Sequence, residues 1–408
     1  MGAVHPDARK NLENHSLRKG NAMRGKWRRS ICSFILIIAM IMTVAGCDTR
    51  QDPGERSPKQ KTNPDTSEAK PIELRRETLS AGLTGPEFME LRTRYSTTYR
   101  GEPIDIDFQY DKKEGSPGVK RGIAWFFVDG IPVPITDEDG ITKSYVSYDY
   151  SVIGELLHKK ISLEPLTGKK GDQLAVMVPF NTNAFLDFPP GDPNFLDRLA
   201  YDSMLGPPMT YGIVMEADAK EGDLRFRQET AKAQAIKREM KIKYFIYEDA
   251  LDKMTDKEID AMVIQGPQAQ LRMNDTSATV LHRPEEYTKN TWELALVGPN
   301  TIYGEGNFRL SLLKNYEQIP FGDCDYIDVK LEANKLTVIP IHFPDIEYKD
   351  KDVLRVMVAP RDTVPEIFEE GATLDISQEL PTVFGSWLLY TWTGEVPESL
   401  GAGWTEGR

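Results

Sequence analysis

Few side chains in this 408-residue chain have the type and spacing to do chemistry. The thiols are Cys32, Cys47 and Cys324. Cys47 follows two small residues at the end of a nearly unbroken apolar run from Ile31 to Ala45, a setting in which the chemistry to consider is peptide cleavage and modification of the sulfur. Cys324 has no histidine beside it to act as a base, so it is not read as a nucleophile. Beyond the apolar run the histidines are His158, His282 and His342, none with a second His or Cys at ligand spacing, and they read as surface or core residues. Asp137-Glu138-Asp139-Gly140 and the group Asp323, Asp325 and Asp328 could offer oxygens to Ca²⁺. Neither has the ligand spacing of an EF-hand loop, and both read as solvated turns. Gly-x-Ser-x-Gly, the P-loop and Gly-x-Gly-x-x-Gly are absent, so acyl transfer and nucleotide binding have no support. No metal and no cofactor is expected. The candidate ligand-binding residues are aromatic: Tyr145, Tyr148 and Tyr150, with Phe188 in the long loop Asn181 to Pro208, could present rings to a sugar or peptide.

The elements that place Cys47 come first in the chain. Arg24, Lys26, Arg28 and Arg29 precede the apolar run, and small residues follow it, which is the three-part layout of an export signal. A membrane-spanning helix needs about 20 apolar residues, and this run is shorter. Val44-Ala45-Gly46-Cys47 closely resembles the lipobox of bacterial lipoprotein precursors, in which an aliphatic residue and two small ones precede a cysteine. The resemblance covers this N-terminal segment alone. It implies cleavage between Gly46 and Cys47, a diacylglyceryl group on the Cys47 sulfur and acylation of the new amine. Each buried methylene then contributes roughly 0.8 kcal/mol, and two or three chains make a lasting anchor where one would not. The alternatives are an ordinary cleaved signal or an uncleaved anchor, with Cys47 incidental. Residues 1–22 lack a core-forming pattern, and Met23 is read as the start, which leaves a signal of ordinary length.

Charge divides unevenly along the chain. Residues 1–46 carry eight Lys/Arg against Asp7 and Glu13, so a whole-chain charge of −13 leaves −19 on the remainder. That part would be repelled by nucleic acid and by anionic lipid, so the acyl chains and not the surface charge must hold it at a membrane. With Cys32 in the signal and Cys47 lipidated, Cys324 stands alone and no intrachain disulfide can form. Stability must come from core burial. Residues 47–70, rich in Pro, Lys and Asp and nearly free of apolar residues, read as a disordered tether. About 23 flexible residues would hold the first domain on the order of 25–30 Å from the anchor.

From Ile72 onward the chain resembles itself. Leu83-Thr84-Gly85-Pro86-Glu87 matches Met254-Thr255-Asp256-Lys257-Glu258, each read as a Thr-x-x-Glu capping box. Tyr99 with Ile104 to Phe108 matches Tyr287 with Trp292 to Leu296, and Ile131-Pro132 matches Ile319-Pro320, both at an offset of 188. Ile161 to Leu166 pairs with Leu336 to Ile341, Leu174 to Pro179 with Leu354 to Pro360, and Tyr211 to Glu216 with Trp387 to Trp392. Six matches in one order argue for tandem copies.

Each copy reads as mainly β, with period-2 segments such as Ile104 to Tyr110 and short valine-containing runs bounded by Gly-Pro and Asp-Gly turns. The expected fold is two tandem β-sandwich domains of an immunoglobulin-like kind with short helices. The expected division is 1–46 signal, 47–70 tether, 71–218 first domain, 219–241 helical connector, 242–396 second domain and 397–408 tail. The connector rests on Leu224 to Met240, where Ala231, Ala235 and Ile236 fall at helical spacing among good helix formers. The expected function is that of a lipid-anchored, non-catalytic binding or scaffold protein on the extracytoplasmic face of the cell membrane, with an envelope protein or glycan as partner. The alternative is a tethered hydrolase of envelope glycan or peptide that works through paired carboxylates.

Overall fold

Ile104, Ile106 and Phe108 alternate with Asp105 and Asp107, and the backbone there is the strand that such alternation predicts. It belongs to a mainly β protein of several sheets and no barrel, seen in a computed structural model. The structure describes residues 79–84, 89–91, 94–112, 121–149, 156–181, 205, 209–220, 222–246, 251–274, 276–277, 281–299, 306–362, 383–386 and 388–394. The signal, the lipobox with Cys47, and the tether lie outside the described residues. No helix among the described residues is long and apolar enough to cross a membrane.

The strands up to residue 215 are β1 (Leu79–Thr84), β2 (Met89–Leu91), β3 (Arg94–Tyr99), β4 (Ile104–Lys112), β5 (Arg121–Ala124), β6 (Phe127–Val128), β7 (Ile131–Pro132), β8 (Ile135–Asp137), β9 (Thr142–Lys143), β10 (Val146–Asp149), β11 (Leu156–Leu163), β12 (Gln173–Val178), β13 (Phe180–Asn181) and β14 (Met209–Met215). They form sheets of order β1-β4-β11-β8-β9 and β2-β3-β14-β12-β6-β7, with β10-β5-β13 beside them. Buried side chains from both larger sheets meet in one core, among them Ile104, Ile106 and Phe108 from β4 and Leu174, Val176 and Val178 from β12.

Then follow β15 (Phe226–Gln228), α1 (Arg238–Phe245), α2 (Asp256–Ala261), β16 (Gln268–Met273), β17 (Thr276–Ser277), β18 (Leu281–His282), α3 (Glu286–Lys289), β19 (Trp292–Val297), β20 (Gly306–Lys314), β21 (Glu317–Ile319), β22 (Tyr326–Leu331), β23 (Leu336–Ile341), β24 (Val353–Pro360), β25 (Phe384–Gly385) and β26 (Leu389–Thr391). Their sheets run β15-β22-β20-β24-β26-β18, with β21 on β20 and β25 on β24, and β17-β16-β19-β23. Trp292, Leu294 and Leu296 of β19 share a core with Leu354, Val356 and Val358 of β24.

The connectivity repeats. The run β3-β14-β12-β6-β7 has the same order as β18-β26-β24-β20-β21, and each run begins with a parallel pair, β3 with β14 and β18 with β26. A turn before the central strand repeats atom for atom. The Lys169 amide donates to Asp172 Oδ2 at 2.7 Å and the Lys349 amide to Asp352 Oδ2 at 2.7 Å. The Gly171 amide reaches Met215 O at 2.7 Å, and the Lys351 amide reaches Thr391 O at 2.7 Å. Leu174 faces Ile213 just as Leu354 faces Leu389, and the two pairs occupy equivalent places in the matched segments.

Two sequence expectations need correction. Aligned on Ile104 and Trp292, Leu163 corresponds to Ile341, because Ile104 pairs with Leu163 and Trp292 with Ile341. The match of Ile161 with Leu336 is therefore three residues out of register, and it would set a core-facing side chain on the opposite face. Thr84 ends strand β1, and the expected capping box after it falls on residues 85–88, outside the described ones; Thr255 does form a capping box with Glu258. The expected helical connector is extended from residue 222 to 237. There β15 adds a parallel edge to β22, Gln234 bridges Leu336, and the helix starts only at Arg238. Ala231 packs on the second core, and Ile236, Met240 and Phe245 lie over Ala295, Val297 and Leu336. Burial and edge hydrogen bonds outweigh a few tenths of a kcal/mol of helix propensity per residue.

The two halves pack against each other directly. Ile123, Trp125, Phe127, Tyr145, Ala175 and Met177 from the first meet Leu313, Tyr316, Met357, Ala359 and Val383 from the second. Successive residues of β12 thus face one core and then the seam, and β24 does the same. A strand covered on both faces reads as an unbroken apolar run, which is why Leu174 to Val178 and Val356 to Pro360 show no alternation.

Candidate functional site

The most concentrated chemistry among the described residues is a set of charges at the edge of this seam. The turn between β6 and β7 is Asp129-Gly130, with φ of 49° and 76°, a two-residue hairpin that needs left-handed backbone at both positions. A Cβ on Gly130 would lie 3.0 Å from Arg309 Cβ and 3.1 Å from Pro360 O, so only glycine lets the turn approach this closely. Arg309, on β20, is almost wholly covered, with its side chain 5% exposed. Its Nε donates to Asp328 Oδ1 at 2.7 Å and its Nη2 to Asp328 Oδ2 at 3.2 Å, while its Nη1 donates to Asp129 O at 2.9 Å. Arg361 also donates to Asp328, and Phe226 lies under the Arg309 guanidinium at 4.5 Å while stacking on Tyr326. Asp129 Oδ1 accepts from the Asp362 amide at 2.6 Å. Burial pushes the Asp129 carboxyl above its ordinary pKa, against the pull of Arg309.

The rest of the seam is held by directed bonds. Trp125 Nε1 donates to Tyr316 O at 3.1 Å, the Ser144 amide to Glu317 Oε2 at 2.8 Å, and the Gln318 amide to Ser144 Oγ at 3.1 Å. Tyr316 sits at φ 71° in the hairpin between β20 and β21, a strained position for a bulky residue, and its ring packs on Trp125 and Tyr145. What this arrangement does chemically is join: every charge named has an opposite charge or a backbone dipole against it.

The residues singled out from the sequence go elsewhere. Tyr145 is buried in the seam and Tyr148 in the first core, where its ring lies 5.9 Å from Phe108, so neither offers a ring to a ligand. Tyr150 and Phe188 lie outside the described residues. Asp137 closes its own turn, accepting from the Asp139 and Ile141 amides. Asp325 is gripped by Arg225, which holds its carboxyl below the usual range, and Asp323 faces Arg227 at 3.6 Å. No group of three or more metal-ligating side chains occurs among the described residues. Cys324 is buried, which pushes its thiol up.

Two histidines pair with carboxylates. His158 Nδ1 lies 2.9 Å from Asp107 on the exposed face of β4 and β11. His282 Nδ1 lies 3.1 Å from Glu286 against Tyr287 and Trp292. Burial pushes the Glu286 carboxyl up, but bonds from His282 and the Arg283 amide more than offset this and hold it low. His342 is exposed. The cavity behind Thr97 is lined by core residues such as Ile104, Val176 and Ile213, and neither pair is among its lining. Sequence reasoning missed the charged seam because its members are scattered from 129 to 362. The one available signal was a pair of strands too apolar for a half-exposed sheet.

Compared with known proteins, the chain matches no described protein family and no curated protein. A solved structure that it resembles is the Bacillus anthracis TIE protein, at 10% identity over 77% of this chain and 56% of that one, with a TM-score of 0.17. The chain thus spans little more than half the length of that protein, and so distant a likeness carries no argument about fold or function.

Proposed function

We propose that this protein is a lipid-anchored component of the bacterial cell envelope, acylated on Cys47 and held by the tether 47–70, which presents two copies of one immunoglobulin-like β-sandwich as a non-catalytic binding or scaffold unit. The anchor rests on the charged segment, the short apolar run and Val44-Ala45-Gly46-Cys47. The tandem reading is carried by the repeated Lys169–Asp172 and Lys349–Asp352 turns with their matching bonds to the neighbouring strand. The scaffold reading draws support from the seam, where apolar packing and the Arg309 cluster tie the two units together. The hydrolase alternative asks for two carboxylates flanking an open cleft. Asp129 and Asp328 both lie against Arg309, and both are occupied by it at the edge of the seam.

The test is mass spectrometry of the membrane fraction of cells that express the wild type or Cys47→Ala. The wild type should yield an N-terminal peptide that begins at Cys47 and carries acyl chains. An unmodified wild-type N-terminus, or a Cys47→Ala protein that stays in the membrane fraction undiminished, removes the anchor from the proposal.

A further inference from the structure

The Arg309 cluster holds an imbalance. Among the described residues, Asp129, Asp328 and Asp362 set three carboxylates against two guanidiniums, Arg309 and Arg361. Asp328 takes the close bonds from both arginines, with a side chain only 9% exposed. Asp362 is half-exposed and pairs with Arg361. Asp129 is left with the longest ion pair, 3.7 Å to Arg309 Nη1, and its carboxylate faces the Asp362 backbone. Among the described residues, the groups set against it are Arg309 from β20 and Arg361 and Asp362 after β24, while Asn307 bonds Asp362, and Asp328 from β22 and the Phe226 ring from β15 lie against Arg309. One negative charge is therefore in excess among the described residues; with Asp362 open to solvent, the covered carboxylates are Asp129 and Asp328, and of two like charges under cover the less tightly held is the one to give up its charge.

We infer that the junction between the two halves is acid-responsive: it tightens when the Asp129 carboxylate takes up a proton and loosens as that proton leaves. The burial that raises the Asp129 carboxyl acts in the same sense. A group that binds its proton more tightly in the folded state contributes stability that is complete below its unfolded pKa and is lost as pH rises through the folded one, so the junction is weaker at neutral pH than at pH values near the ordinary aspartate pKa of about 3.9. Protonation leaves the Arg309 bond to Asp129 O in place, because that bond uses the backbone. The change is therefore graded, and the halves do not come apart. For a protein exposed outside the cell, this would hold the two units together as the surroundings acidify.

The indole N–H of Trp125 reports on the junction, since it donates to Tyr316 O across it at 3.1 Å. Its hydrogen-exchange protection, corrected for the intrinsic pH dependence, should rise in the wild type as pH falls from about 7 towards the ordinary aspartate pKa of about 3.9, by at most about tenfold per pH unit for one proton. Asp129→Asn, neutral at every pH, should lose this slope, and Asp105→Asn, on an exposed strand face, should keep it. Parallel slopes in wild type and Asp129→Asn overturn the proposal. If Asp129→Asn does not fold, the Asp129 carboxyl-carbon titration in the wild type decides: a midpoint at or below the ordinary aspartate value of about 3.9 overturns it equally.

Discussion

Replacing Arg309 by Ala removes the cation that two carboxylates of the seam share. Its side chain is 5% exposed and that of Asp328 9%, so water does little to screen the loss. Removing one partner from a buried pair costs about 3–5 kcal/mol. Arg361 still reaches Asp328 and recovers part of this, while the lost packing over Phe226 adds roughly 0.5–1 kcal/mol. A net cost of about 3 kcal/mol is expected, measured as a lower urea midpoint with an unchanged slope. The partner variant is the sharper test. Arg309→Met combined with Asp328→Leu removes both charges and keeps the volume, and such a swap is often neutral or stabilising. The double variant should therefore regain most of the loss, although Asp129 and Arg361 keep their charges. A single variant within about 1 kcal/mol of wild type, or a double variant worse than the single, would show that Arg309 is solvated in solution and that the cluster does not hold the seam.

Two further outcomes follow from the same geometry. Gly130→Ala should destabilise by roughly 1–3 kcal/mol, because it adds a Cβ at φ 76° against Arg309 Cβ and Pro360 O; thermal unfolding measures this, and a neutral result would mean that the turn stands further from β20. A fragment of residues 222–396 should fold, while one of 247–396 should not, since the latter lacks β15 and the Ile236, Met240, Tyr244 and Phe245 side chains that cover Ala295, Val297 and Leu336; circular dichroism of both separates the cases, and equal folding would return 219–241 to the role of a linker.

Much of the strand layout was legible in the chain itself. Ile104 to Phe108 alternates because one face of β4 meets a core and the other meets water. The match of Leu174 and Ile213 with Leu354 and Leu389 lies in the sequence and in the pairing alike. The segments Lys169-Lys170-Gly171-Asp172 and Lys349-Asp350-Lys351-Asp352, whose aspartates close the same turn, carry the repeat in sequence as well. Local chemistry is enough for such features, since a strand's period and a turn's side-chain bond depend on near neighbours.

Tertiary structure decided what depends on distant partners. The segment 222–237 has the composition of a helix and lies extended, because an unpaired sheet edge and an uncovered apolar face outweigh its propensity. Tyr145 and Tyr148 have the look of a binding surface and are interior, because what covers them comes from elsewhere in the chain. The register of β23 lies three residues from the one the sequence match predicts around Pro340, since Pro after an apolar strand fixes no phase, whereas a core on one face does. The Arg309 cluster drew on residues up to 233 positions apart, and no pattern in sequence says which carboxylate will meet which guanidinium once two sheets close over them.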